Sequence, residues 1–431
     1  MTAYKKDLDE LIVQLKMGVS PFHTIAASAS LLRKQQFTEL KLGEPWTLTA
    51  GAGYFVNAYD TSLIAFTIGA DADERPAFRI AASHTDWPCL MVKPSPELTV
   101  GNYAKLNVSV YGGAILNTWM DRTLSMAGKV CSKGADPFHP VVHFVDFKRP
   151  LLTVPNLAIH FNREVNKGIE LNPQIDMQPV IAMIDKTLNK DSFFLDLLAG
   201  ETGVPKEDIL DYEFYIYNCD EPQLLGIQEE FLSSPRLDNL TSVHACLSGI
   251  INSSREKGIC VAALYDNEEI GSSTKQGAAS PLLDRILEKL YLCLGYSRSD
   301  YLDSLFNGFL LSLDVAHAFH PNKLEKYDPK DHIALNEGVA LKLAVSQAYA
   351  TDASYVSVIE DLCRRNDIPC RKFSNRSDIK GGSTLGSISS CMLTMPAVDA
   401  GVPILAMHSA RELMGAKDQW ALAELTRKFL H

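Results

Sequence analysis

No two of the nine cysteines stand as a CxxC pair, and their number is odd. That excludes a simple disulfide framework and points to a reducing compartment. Blocks of lysine or arginine are also missing. With Lys+Arg 41 against Asp+Glu 52, the net charge is −11, so the basic footprint that nucleic acid requires is lacking. No apolar run approaches the ~18 residues of a membrane span. The first residues, Met-Thr-Ala-Tyr-Lys-Lys, carry no apolar signal region. The expectation is a cytoplasmic protein that binds neither nucleic acid nor membrane. Low-complexity tracts and internal repeats are absent as well.

What is present is ordinary globular composition, 46% hydrophobic and 22% charged, spread over 431 residues. Such length favours two domains, or one domain with a large insertion. Leu8, Leu11, Ile12 and Leu15 recur at helical spacing until Gly18–Pro21, and a second helix follows Pro21 to about Gln36. Between about 92 and 232 the pattern changes to period two, as in 106–111, 141–145 and 212–217, with helical elements only in 179–198. From 233 onward helices and strands alternate: helices over 241–253, 281–295, 355–366 and the closing segment around Trp420–Phe429, and apolar strands over 258–265, 308–313 and 403–407. This predicts an α/β fold, a mostly parallel mixed sheet flanked by helices. It is formed by residues 1–91 and 233–431 and interrupted by a β-rich module over 92–232.

Polar residues gather where the apolar runs stop. His84 and Asp86 follow 78–83. Asp266, Glu268 and Glu269 follow 259–265. Asp314 follows 309–313, His408 follows 404–407, and Asp238 sits just before a helix. Strand ends of an open α/β sheet converge on one crevice. Singly, each has a plainer reading: a capping histidine, an N-cap aspartate, solvated glutamates. Together, two histidines and several carboxylates suit a pair of zinc-like ions. Asp238, Asp314 and Glu269 would offset most of the ions' charge. A further uncoordinated carboxylate is needed as general base, and in an extended chain Glu268 and Glu269 would point opposite ways, one to metal and one to water. Asp86 is placed to orient the His84 imidazole. Gly381–Gly386 lacks the Gly-Lys-Ser/Thr ending of a phosphate loop. Its plainer use, with Lys380, Gly381, Gly382 and Ser383, is close backbone approach to a peptide substrate. Lys342, Lys380 and Arg376 are candidates for a positive pocket.

These segments resemble one family. Ser83-His-Thr-Asp-Trp-Pro88, Ser234-Pro-Arg-Leu-Asp-Asn-Leu240, Asp266-Asn-Glu-Glu-Ile-Gly-Ser272, Asp314-Val-Ala-His-Ala-Phe-His-Pro-Asn322 and Met407-His-Ser-Ala-Arg-Glu412 are similar, in order, to the motifs of the aspartyl aminopeptidases, metallopeptidase family M18. The resemblance implies a dinuclear aminopeptidase acting on peptides with acidic N-terminal residues, using two zinc ions, or manganese or cobalt. It implies that His84 and Asp314 hold one metal, Glu269 and His408 the other, that Asp238 bridges them, and that Glu268 is general base. It further implies dimerisation through the β module, assembly into homododecamers, and a reach of His160 into the neighbouring subunit's active site. Ala348 stands where the family usually has arginine, and Ser346 where some members carry a basic residue, which bears on acidic specificity. Competing readings are a broad-specificity aminopeptidase, a related dinuclear deacylase, and a non-catalytic scaffold.

Overall fold

A computed structural model describes residues 3–71, 76–184 and 188–431. The chain forms two compact units: Met1–Asp86 with Pro222–Met407 and Glu412–His431, and Trp87–Glu221 with His408–Arg411. These edges differ from 91/92 and 232/233 for a reason visible in the pairing. Cys89–Val100 is a strand of the second unit's sheet from its first residue, paired Cys89 to Tyr111. Phe231–Ser234 pairs with Glu412–Gly415, so the chain has already rejoined the first unit there. The tetrapeptide His408–Arg411 joins the second unit because Ala410 N–H donates to Thr118 Oγ1 (2.8 Å) and Asn218 Nδ2 donates to the Ala410 carbonyl (2.9 Å).

In the first unit, a nine-stranded mixed sheet has at its centre four parallel neighbours: Ile259–Tyr265, Phe78–His84, Phe309–Leu313 and Ala397–Gly401. Antiparallel strands flank them, Ser62–Ile68 on one side and Val339–Leu343 on the other. All seven residues of Ile259–Tyr265 are buried. Alternate residues (Ile80 and Ala82, Val261 and Ala263) join a core with Leu283, Ile286, Leu287 and Leu290 of the helix Leu282–Cys293. The helices Leu237–Asn252 and Asp418–Leu430 also pack on the central strands, and Ala3–Met17 packs against both. Burial on two faces explains why these strands read as continuous apolar runs. Each fully buried leucine, isoleucine or valine contributes about 1.5–3 kcal/mol. A five-stranded sheet completes the unit.

The early helices follow local rules. Pro21–Lys34 begins with proline at its first turn, and Ser20 Oγ accepts from His23 N–H (3.3 Å), satisfying an otherwise orphaned donor. The helix Leu237–Asn252 is kinked at its start: Asp238 and Asn239 have non-helical dihedrals, so its regular part begins beyond Asn239, close to the expected 241.

The second unit holds a six-stranded antiparallel sheet, with Val141–Asp146 at one edge and Val180–Met183 at the other. Tyr103–Tyr111 alternates buried and more exposed residues, as period two requires. The helical stretch expected over 179–198 is instead a strand, Val180–Met183, followed by the helix Phe193–Thr202; 185–187 lie outside the described residues. All nine cysteines are free thiols, Cys89, Cys246, Cys260 and Cys363 buried. Among the described residues no helix is long and apolar enough to cross a membrane.

Candidate metal centre

Three neighbouring strands of the central sheet end in chemistry. His84 closes Phe78–His84 and lies in register with Tyr265, the last residue of Ile259–Tyr265. Glu268 and Glu269 follow that second strand within one turn, and Asp314 follows Phe309–Leu313. Asp238 is delivered by the first turn of the helix Leu237–Asn252, which packs on two of these strands. Parallel strands side by side thus bring residues separated by up to 230 positions to one edge.

His84 is buried, with Nε2 3.4 Å from Asp238 Oδ1 and 3.5 Å from Asp314 Oδ1. Its Nδ1 lies 3.1 Å from the Asp86 carbonyl and 3.3 Å from Asp86 Oδ1. Both are acceptors, so the proton belongs on Nδ1 and the Nε2 lone pair faces two carboxylates. A lone pair opposed to two anionic oxygens requires a positive charge between them. Without a metal ion that charge is a proton: burial disfavours the imidazolium, but Asp238, Asp314 and Asp86 outweigh it and raise the His84 pKa well above its ordinary value.

Asp86 does more than hold the imidazole. Its Oδ1 accepts from Glu268 N–H (3.1 Å) and its Oδ2 from Glu269 N–H (3.2 Å). It fixes the turn that carries both glutamates. That turn, Glu268–Ile270, is a 3-10 helix, so the expectation of extended chain with opposed side chains at Glu268-Glu269 is corrected: a carboxylate oxygen of each lies within 4.8 Å of the other. It is entered through Asn267 in the left-handed region (φ 63), which asparagine tolerates better than most residues; Thr274 Oγ1 donates to its side chain (2.8 Å).

The donor set fits divalent cations. One ligand atom each from His84, Asp238 and Asp314 lies within 4.8 Å of the others, and the same holds for His84, Glu268 and Glu269. Five carboxyl groups, counting Asp86, share this space with one buried ammonium, Lys342. The excess of negative charge shows at Glu268. Burial raises its pKa, the His84 charge opposes, and Asp314, Asp86 and Asp238 push it further, to about 8. Bound cations would relieve that surplus.

Sequence reasoning missed two supports. Glu412 is buried and its Oε2 accepts from Asp238 N–H (3.0 Å). Lys342 was expected in a positive pocket; it is buried, donating to Asp314 Oδ2 (3.1 Å) and the Val315 carbonyl (2.9 Å). Burial disfavours its charge, but Asp314 and Asp399 outweigh this and hold its pKa above the ordinary lysine value. A lysine inside the apolar run 339–343 was the signal, since a buried ammonium requires a partner. Arg376, the third pocket candidate, pairs with Asp378 (2.7 Å).

The remaining expected residues stand on other segments of the chain. His408 belongs to the second unit, where Nδ1 is 3.1 Å from the Gly113 carbonyl, leaving Nε2 as the acceptor nitrogen. His160 is exposed in a turn of that unit. Lys380, Gly382 and Ser383 are exposed in an irregular segment of the first unit, with Gly381 partly covered. A Cβ at Gly381 would press on the Asn375 side chain, which would have to move; at Gly382 nothing lies within 4 Å.

Comparison with known proteins gives the family. Residues 15–430 match the sequence model of the family described as aminopeptidase I zinc metalloprotease (M18). A probable M18 family aminopeptidase 2 from Clostridium novyi (strain NT) is 42% identical over 425 residues, 98% of each chain. Among solved structures, one titled as the complex of Ape4 and Nbr1 superposes with TM-score 0.94 at 31% identity, covering 99% of this chain and 86% of that one. The S. cerevisiae mApe1 dodecamer gives TM-score 0.86 at 25% identity, covering 99% and 97%. With its chain matched nearly end to end, this protein belongs to the M18 family of zinc metalloproteases and is a metal-dependent aminopeptidase.

Proposed function

We propose that the protein is a two-metal aminopeptidase that removes acidic N-terminal residues from peptides. The observation that carries this reading is His84 Nε2 facing Asp238 and Asp314, with the glutamate turn held beside it by Asp86. His84 and Asp314 would hold one ion and Glu269 and His408 the other, with Asp238 shared. When bound, the ions would acidify a water and polarise the scissile carbonyl. Glu268 takes the proton from the attacking water on its carboxylate and returns it to the leaving amine. Lys342 keeps Asp314 ionised, and Asp86 keeps Glu268 and the imidazole in position.

For the acidic preference, Lys380 is the cation we assign. Of the three sequence candidates it alone is exposed with no ion pair among the described residues. Ala348 and Ser346, where the family resemblance would lead one to expect basic residues, supply no charge. Activity against Asp-, Glu-, Leu- and Lys-amides, with and without chelator, tests the reading. Hydrolysis of Asp- and Glu-amides that the chelator abolishes supports it. Equal turnover of Leu-amide removes the acidic preference, and chelator-resistant turnover removes the metal mechanism.

Self-association into dimers and a homododecamer is part of this proposal. The edge strand Val141–Asp146 exposes Val141, Val142 and Phe144. His160 stands between exposed Ile159 and Phe161. Unpaired edges with apolar side chains are suited to association, and the related mApe1 is a dodecamer.

A further inference from the structure

Away from the strand-end centre, the N-terminal helix Ala3–Met17 packs against Leu237–Asn252. Asp7, Glu10 and Gln14 are spaced at three and four residues, one face of that helix. Across from them is His244, 5% exposed. One ligand atom each from Asp7, Glu10 and His244 lies within 4.8 Å of the others.

The imidazole is the informative member. Gln14 Oε1, an acceptor, lies 3.2 Å from His244 Nδ1, so the ring proton sits on Nδ1. That leaves Nε2 with a lone pair, and this nitrogen is buried without a hydrogen-bond partner among the described residues. A buried acceptor with no donor is costly unless something fills the role. The surroundings supply little competing positive charge. Lys6 reaches Glu10 at 3.8 Å with both side chains half exposed or more, a weak pairing. Arg427 is engaged by Glu424.

We propose that Asp7, Glu10 and His244 bind a divalent transition-metal cation of the zinc class, distinct from the catalytic ions. One imidazole and two carboxylates favour zinc, manganese or cobalt over magnesium or calcium. Ligand atoms bound at ~2.1 Å in a tetrahedron stand ~3.4 Å apart, so the carboxylates must close inward. Asp7 is partly exposed and Glu10 exposed, which leaves them the rotamer freedom to do so. Burial and the neighbouring Glu10 push the Asp7 carboxyl up to about 6, the response of an acid whose negative surroundings a cation would relieve. The ion would pin the N-terminal helix to the helix whose first turn presents Asp238.

The test is zinc content after equilibrium dialysis of the full-length enzyme against micromolar Zn2+, comparing wild type with Asp7→Asn/Glu10→Gln. Glu10 is exposed and Asp7 half-buried, and both substitutions keep the side chain's size and shape, so folding is retained. Wild type is expected to hold one zinc per chain more than the double variant, at equal peptidase activity, and to gain more in Tm on zinc addition. Glu10→Gln alone should weaken the extra ion at least tenfold. Equal zinc content and equal Tm gain in wild type and double variant would overturn the proposal.

Discussion

The nine-stranded sheet of the first unit and the six-stranded sheet of the second expose their strands differently. Ile259–Tyr265 is buried throughout, whereas Val141–Asp146 leaves three of its apolar residues to solvent. A strand buried on both faces cannot shift, so the residues just past its end are held where chemistry needs them. An edge strand with open hydrogen-bonding groups gives up that rigidity and gains a surface for association. The lesson is that sheet position, more than strand composition, separates the part of this chain that does chemistry from the part suited to assembly.

The comparison is sharpened most by Glu268→Gln. It should lower turnover ~10²- to 10⁴-fold while zinc content is unchanged, checked by steady-state kinetics beside metal analysis. Next, Leu264→Ala, inside the central strand, should cost about 2–5 kcal/mol in urea unfolding. Val142→Asp and Phe144→Asp, on the exposed edge, should change folding by less than ~0.5 kcal/mol yet shift sedimentation to smaller species. Similar unfolding costs at both places would break the contrast. Lys380→Met should raise KM for Asp-amide up to ~fivefold and leave Leu-amide unchanged, the scale of an exposed charge pair.

A final effect concerns pH. Burial lowers the His244 pKa from 6.5 to about 4. Above 6.5 neither state is protonated there. Between 6.5 and about 4 the unfolded chain takes a proton that the folded chain refuses. Stability therefore falls as pH falls through this window, by ~1.4 kcal/mol per unit at most. In chelated protein, His244→Gln should flatten that slope in thermal unfolding; an unchanged slope would remove the assignment.

Much of the centre was legible in the sequence because a strand's end is marked twice, by the apolar run and by the polar residue that stops it. His84, Glu268, Glu269 and Asp314 were found that way. Asp238 was harder, since its helix start is irregular. Glu412 was not legible, and the apolar run around Lys342 signals its burial but not its partner: Asp238 N–H and Asp314 Oδ2 lie 174 and 28 residues away and no local pattern connects the pairs. The turn at Glu268 was missed because its order comes from Asp86, 182 positions earlier. The grouping of 408–411 with the second unit was not legible for the same reason: its hydrogen bonds go to Thr118 and Asn218, distant in sequence.

Anomalous scattering at the zinc edge from crystals of the zinc-loaded enzyme tests the central claim most directly. The account predicts a peak about 2.0–2.2 Å from His84 Nε2 and from carboxylate oxygens of Asp238 and Asp314, with a second beside Glu269. Zinc-loaded, active crystals with no anomalous density in contact with His84, Asp238 or Asp314 would contradict it.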